Sequence, residues 1–264
     1  MAKLEMKKIQ LGYGRKTILN NISLKIMPGE VVGLIGSNGS GKSTIIKAIS
    51  RVLNPSSGKI FIDGTDINQI PRRTFARQLG VVPQIPLLPS AFTAFEIVLM
   101  GRNPHLGLLQ YEGPEELDIA WQAMKKTGTE KLAERRVNEL SGGEIQCLLI
   151  ARVLTQETKI ILLDEPTANL DIGRQGEILN LIKKSCLEDN LTVLAALHDL
   201  NLATQYCDRL VLINNGQVHA EGTPQEVITN ENIKTVYGAE NCVYNHPVNN
   251  LPIVLLQVNN RIKK

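Results

Sequence analysis

Aromatic residues are scarce in this chain, 4% of 264 positions, and they do not alternate with basic ones. That removes the stacking platforms of a nucleic-acid machine, and a net charge of +3 is too mild to argue for a phosphate-backbone interface. The cysteines, Cys147, Cys186, Cys207 and Cys242, lie far apart with no C-x-x-C pair, and the histidines do not cluster. Such spacing fits neither a disulfide framework nor a zinc site, so reduced cytosolic thiols are the expectation. No apolar run approaches the roughly 18–20 residues that cross a bilayer, and the N-terminus lacks the apolar core of a signal peptide. Any membrane role is therefore expected to be peripheral. Repeats and low-complexity tracts are missing too, and the basic ends, Lys3/Lys7/Lys8 and Arg261–Lys264, read as solvated tails.

What remains is an aliphatic interior, 43% apolar, long enough for a substantial α/β core. Lys3–Leu11 and Ile18–Ile26 alternate apolar and polar around Gly12-Tyr13-Gly14, as antiparallel strands do. Val31–Ile35 is a short continuous apolar run, predicting a buried strand, and a helical pattern through Ile45, Ile46, Ala48, Ile49 and Val52 follows it. A further strand is expected at Lys59–Ile62. Prolines 83, 86 and 89 then break the chain, and helical stretches follow at Ala94–Met100, Glu115–Thr127 and Glu144–Leu154, predicting a helical insertion over about 85–156. Alternation resumes with strands Ile160–Leu163, Thr192–Ala196 and Leu210–Ile213 and helices Arg174–Ser185 and Leu200–Tyr206. This order implies a parallel sheet covered by helices. The last twenty-five residues read as a small irregular appendix.

Gly36-Ser37-Asn38-Gly39-Ser40-Gly41-Lys42-Ser43 matches G-x-x-x-x-G-K-[ST] between a predicted strand and a predicted helix, the context that identifies a phosphate-binding loop. Glycines let successive N–H groups face phosphate oxygens, and the helix N-terminus adds its positive dipole end. Lys42 can bridge β- and γ-phosphates, and the Ser43 hydroxyl can ligate magnesium. The loop alone fits kinases, GTPases and motors equally. Strand 160–163 ends in Asp164-Glu165, whose side chains should diverge by the pleat, one for the magnesium shell and one to polarise water. Leu140-Ser141-Gly142-Gly143-Glu144 opens another apolar helix and offers a second set of phosphate donors. Gln84, His198 and Tyr13 are weaker signals: a surface amide after a short strand, Leu79–Val82, a helix-capping histidine and a loop-filling tyrosine are the competing readings.

The order Tyr13, 36–43, Gln84, Leu140–Glu144, Asp164-Glu165, Ala168-Asn169-Leu170-Asp171, His198 resembles the ATPase subunit of an ATP-binding cassette transporter from about Leu4 to Gly238. The resemblance implies a single domain over 1–240 with a short extension over 241–264. Its fold would be α/β, a P-loop NTPase with a RecA-like core, an antiparallel β subdomain and an inserted helical subdomain. ATP and Mg2+ would be the cofactors. Tyr13 would stack on adenine, and Gly36, Ser37, Asn38, Gly39, Ser40, Gly41, Lys42, Ser43 and Thr44 would hold phosphates and metal. Gln84 would contact magnesium and water, Asp164 would assist the metal, Glu165 would act as general base and His198 would contact the γ-phosphate. Ser141, Gly142 and Gly143 would face the ATP of a second copy, with Asp171 at a head-to-tail homodimer interface. Integral-membrane permease subunits, and indirectly a substrate-binding protein, are the other implied partners, at the cytoplasmic face of the membrane; nucleic acid is not.

Ile145 and Cys147 stand where arginines are common in that family, and Ala168-Asn169 replaces a frequent Ser-Ala. None of these removes a phosphate, metal or water ligand. Met100–Gly107 (MGRNPHLG) is similar to a segment of importers of iron-siderophore complexes, haem and cobalamin, as are Gly222–Val227 and Asn245-His246-Pro247. Molybdate and other metal importers share some of these, and a soluble cassette ATPase without a permease is the alternative reading.

Overall fold

The computed structural model describes residues 2–14, 16–107, 109–168, 170–238 and 241–256. Asn169 and Arg261–Lys264, singled out above, lie outside the described residues. The chain opens with strands β1 (Leu4–Tyr13) and β2 (Lys16–Ile26), which pair antiparallel as their alternation requires. With β4 (Ser57–Ile62) and β5 (Thr65–Asp66) they form a four-stranded sheet in the order β2-β1-β4-β5.

The second sheet uses β3 (Val31–Ile35), β6 (Leu79–Val82), β7 (Ile160–Asp164), β8 (Thr192–Ala196), β9 (Arg209–Asn214) and β10 (Gln217–Gly222). Its order is β10-β9-β3-β8-β7-β6, parallel except for β10, which returns antiparallel beside β9. β3, β7 and β8 are buried at every position, because helices or strands cover both faces. Their alternating side chains feed two cores. Val32, Leu34, Ile160, Leu162, Leu194 and Val211 pack with helix α1 (Lys42–Ile49) and the inner face of the antiparallel sheet. Val31, Ile35, Ile161, Leu163, Val193 and Leu212 pack against α5 (Gly142–Thr155), α6 (Ile172–Asp189), α7 (Leu200–Tyr206) and α9 (Asn230–Tyr237). Val52, predicted to share the apolar face of α1, lies past the helix end and is exposed.

A third apolar cluster joins α3 (Ala94–Leu99), α4 (Pro114–Lys126) and α5 through Ile97, Val98, Ala120, Met124, Leu148 and Ala151. Helix α5 belongs to both clusters, with Leu149, Ile150 and Val153 turned to the sheet. Three short helices escape the sequence pattern: α2 (Arg72–Gln78), which buries only Phe75, α8 (Pro224–Val227) and α9. The expected irregular appendix is also corrected in part, since β11 (Asn241–Asn245) and β12 (Pro252–Leu256) form an antiparallel hairpin.

Candidate functional site

In a parallel sheet, loops that leave the C-terminal ends of adjacent strands share one edge, where open α/β sheets bind ligands. Here the strand order β3-β8-β7-β6 sets four predicted segments side by side: the 36–43 loop after β3, His198 after β8, Asp164-Glu165 at the end of β7 and Gln84 after β6. Residues separated by more than a hundred positions meet there for topological reasons.

The loop takes conformations that side chains resist. Gly36 has φ 148°, and a Cβ on it would sit 2.2 Å from the Ile213 carbonyl oxygen. Gly41, the N-cap of α1, has φ 113° and leaves 2.7 Å between a notional Cβ and Leu19. Lys42 is 5% exposed, and its Nζ donates to the carbonyls of Gly36 (2.7 Å) and Ser37 (3.2 Å). Burial lowers its pKa, and Glu165 and Asp164 oppose that fall.

Ser43 Oγ donates to Asp164 Oδ1 at 2.9 Å. Burial raises the Asp164 pKa and the Ser43 hydroxyl pulls it back. A buried carboxylate whose nearest hydrogen-bond partner is a neutral hydroxyl suits a hard divalent cation, and the neighbouring donor atoms are oxygens, the set magnesium prefers. No cluster of three or more His, Cys, Asp or Glu able to cage a metal exists among the described residues.

Asp164 and Glu165 do diverge, but the pleat is not the reason. Asp164 ends β7, whereas Glu165 leaves the strand at φ 56°, a left-handed conformation uncommon outside glycine, and its N–H donates to Ala196 O at 3.0 Å. The turn swings its carboxylate toward the neighbouring strand ends. There Gln84 Nε2 donates to Glu165 Oε2 at 2.8 Å, and His198 Nε2–H donates to Oε1.

These groups line an open cleft of about 730 Å³ with Tyr13, Asn38, Gly39, Ser40, Gly41, Lys42, Ser43, Thr44, Gln84, Glu165 and His198. Its size falls within the range of small-molecule sites. Tyr13 is half exposed at the mouth, paired across the β1–β2 turn with Lys16. Lys16 and Ile18 also line the cleft and were not signalled by any motif. Their place follows from the hairpin register alone.

Ser141, Gly142, Gly143 and Asp171 are not brought to this cleft. They line another, of about 850 Å³, with Lys131 and Arg174, two cations that sequence reading passed over. Ser141 caps α5 through a reciprocal pair: its Oγ accepts from Glu144 N–H at 3.3 Å, and Glu144 Oε2 accepts from Ser141 N–H at 2.7 Å. The Gly142 and Gly143 amides are then the free donors of the first turn. Asp171 caps α6, accepting from the Arg174 amide at 2.9 Å.

The ABC transporter family profile matches residues 19–168, more than half of the chain. Ferric enterobactin transport ATP-binding protein FepC of Escherichia coli (strain K12) is 38% identical over 97% of this chain and 94% of its own length. A solved metal-chelate type ABC transporter in an inward-facing conformation superimposes with a TM-score of 0.84 at 26% identity, covering 98% of this chain and 99% of that one. A bacterial ABC transporter cassette solved as a dimer gives a TM-score of 0.76 at 31% identity, covering 83% of this chain and 98% of that one. Strand order, loop chemistry and these likenesses agree: the chain belongs to the ABC transporter family, as an ATP-binding and hydrolysing subunit.

Proposed function

We propose that the chain energises uptake of a metal chelate, an iron-siderophore complex, haem or cobalamin, through a separate membrane permease, working as a head-to-tail homodimer at the cytoplasmic face. The observation that carries the hydrolytic part is the Glu165 carboxylate, held between Gln84 and His198 beside the phosphate loop. Glu165 takes the proton of the attacking water, His198 holds the γ-phosphate and Gln84 orients the water. Lys42 leaves its two loop carbonyls for phosphate oxygens, exchanging neutral acceptors for charged ones. Ser43, Asp164 and Gln84 would hold magnesium, which neutralises charge on the phosphates when bound. Ser141, Gly142 and Gly143 face the ATP of the second copy, with Asp171 at the interface.

Docking to a permease is supported by a groove just beyond Gln84. Pro83, Pro86, Leu87, Leu88, Leu149, Arg152 and Gln156 are among its lining, and Leu87 and the neighbouring Ile85 are largely exposed. A groove of mixed polar and apolar lining between α5 and the segment after β6 suits the two faces of an amphipathic helix, and occupancy sensed at Gln84 reaches it through adjacent residues. No helix among the described residues is long and apolar enough to cross a membrane, so translocation falls to the permease. Metal-chelate cargo is supported by the likeness to the ferric enterobactin transport protein and to the metal-chelate type transporter. The test is uptake into vesicles carrying the permease with this chain inside, using a ferric siderophore, haem and cobalamin as cargoes. ATP-dependent uptake of one of them, lost in Glu165→Gln, is expected; uptake of none rejects the cargo class.

A further inference from the structure

The C-terminal hairpin is fastened to the fold by side-chain amides at matching points. Val243 and Val254 are cross-strand partners. The outward N–H of Val254 donates to Asn201 Oδ1 at 2.8 Å, and Asn201 Nδ2 donates to the Val254 carbonyl at 3.3 Å. On the other edge, Val243 N–H donates to Asn230 Oδ1 at 2.9 Å. Asn201 thus completes the edge of β12 as a neighbouring strand would, while both valine side chains pack on the central core. The hairpin turn reaches the same helix again, with Asn249 Nδ2 donating to Gln205 Oε1 at 2.6 Å. Asn201 and Gln205 are four apart on α7, so one face of that helix is gripped at both ends.

Helix α7 begins immediately after His198. Its N-cap Asp199 accepts from the amides of Asn201 (2.8 Å) and Leu202 (3.0 Å), so the backbone that carries His198 runs directly into the gripped face. The adjoining helix α9 reaches the phosphate loop: burial pushes the Tyr237 phenol up to about 12, partly offset by the Gly36 amide at its oxygen. The hairpin therefore touches the support of His198, and α9, to which Asn230 ties it, touches the start of the loop.

We propose that Asn201 is a positioning residue for hydrolysis, through which the C-terminal hairpin sets the orientation of α7 and hence of His198 against Glu165. The inference rests on His198 acting in hydrolysis. The experiment compares steady-state ATPase of Asn201→Ala, His198→Ala and the double variant in the full chain. Alanine is the better helix former, so α7 itself is not weakened. Asn201→Ala should lower kcat by roughly ten-fold with KM changed less than about two-fold. The double variant should be no slower than His198→Ala alone, because residues acting as one unit are not additive. Should Asn201→Ala fail to fold, Asn249→Ala at the exposed turn should show a smaller fall, again absorbed by His198→Ala. An unimpaired Asn201→Ala beside an inactive His198→Ala, or full additivity, overturns this inference alone. Full activity of His198→Ala overturns the role of His198 and this inference with it.

Discussion

Asp164 and Glu165 are neighbours in sequence but answer to different forces. Asp164 is buried, and burial raises its pKa. A carboxylate whose native pKa lies above its unfolded value holds its proton more tightly in the fold. Stability is therefore greatest below the unfolded value and is lost as pH rises through the raised one. At neutral pH the chain carries that penalty, as the metal-holding role proposed for Asp164 would require. Asp164→Asn should therefore raise Tm by roughly 1–4 °C at neutral pH while abolishing ATPase. The gain should vanish in thermal melts below both pKa values, near about pH 3. An unchanged or lowered Tm at neutral pH contradicts the burial argument. Glu165, by contrast, keeps its carboxylate hydrogen-bonded to Gln84 and His198. Removing its charge as Glu165→Gln should lower kcat at least about 100-fold, the scale of general-base catalysis, with ATP binding retained in a fluorescent-nucleotide titration. Turnover near the parental rate would end the general-base assignment.

Helix starts in this fold share one device. Glu96, Glu116, Glu144 and Glu226 each accept the N–H of a residue three positions back, Thr93, Gly113, Ser141 and Thr223 respectively. Those backbone bonds hold all four carboxyls below the usual glutamate range. A depressed carboxylate contributes stability that is present above its unfolded pKa and lost as pH falls through the folded one. Glu116→Gln with Glu226→Gln should keep both caps of the N-cap N–H groups without the titration. The loss of Tm between about pH 5 and pH 3 should then be smaller than in the parent; an equal loss places acid sensitivity elsewhere.

Such caps are local, and so were the elements that the sequence disclosed. The 36–43 loop, the buried run of β7 and the helix opened by Ser141 are legible because backbone donors, glycine freedom and a capping pair act within a few residues. Helix α2 hides because one apolar residue, Phe75, has no period. The hairpin at 241–256 hides because its register is held by Asn201 and Asn230 on other elements. The site residues could be named, but not how Glu165 reaches Gln84 and His198: that depends on a left-handed turn and on β8 lying between β3 and β7. Lys16, Lys131 and Arg174 carried no motif and appear only once the clefts exist.

At the scale of the whole molecule, the phosphate donors are divided. The 36–43 loop lines one cleft and Ser141–Gly143 another, with no residue in common. A single chain thus presents two separate clefts, each with a helix N-terminus suited to an anion. In the dimer we propose, a second copy turned head to tail would join each cleft to its complement, with ATP between them, and hydrolysis would remove the link. The free energy that separates closed from open dimers is then available to a permease. The most direct measurement is molar mass by light scattering for Glu165→Gln with saturating ATP, alone and combined with Ser141→Arg. The account predicts a dimer for Glu165→Gln, and a monomer that still binds one ATP per chain once Ser141→Arg is added. A Glu165→Gln chain that stays monomeric in ATP, or a dimer that Ser141→Arg leaves intact, contradicts it.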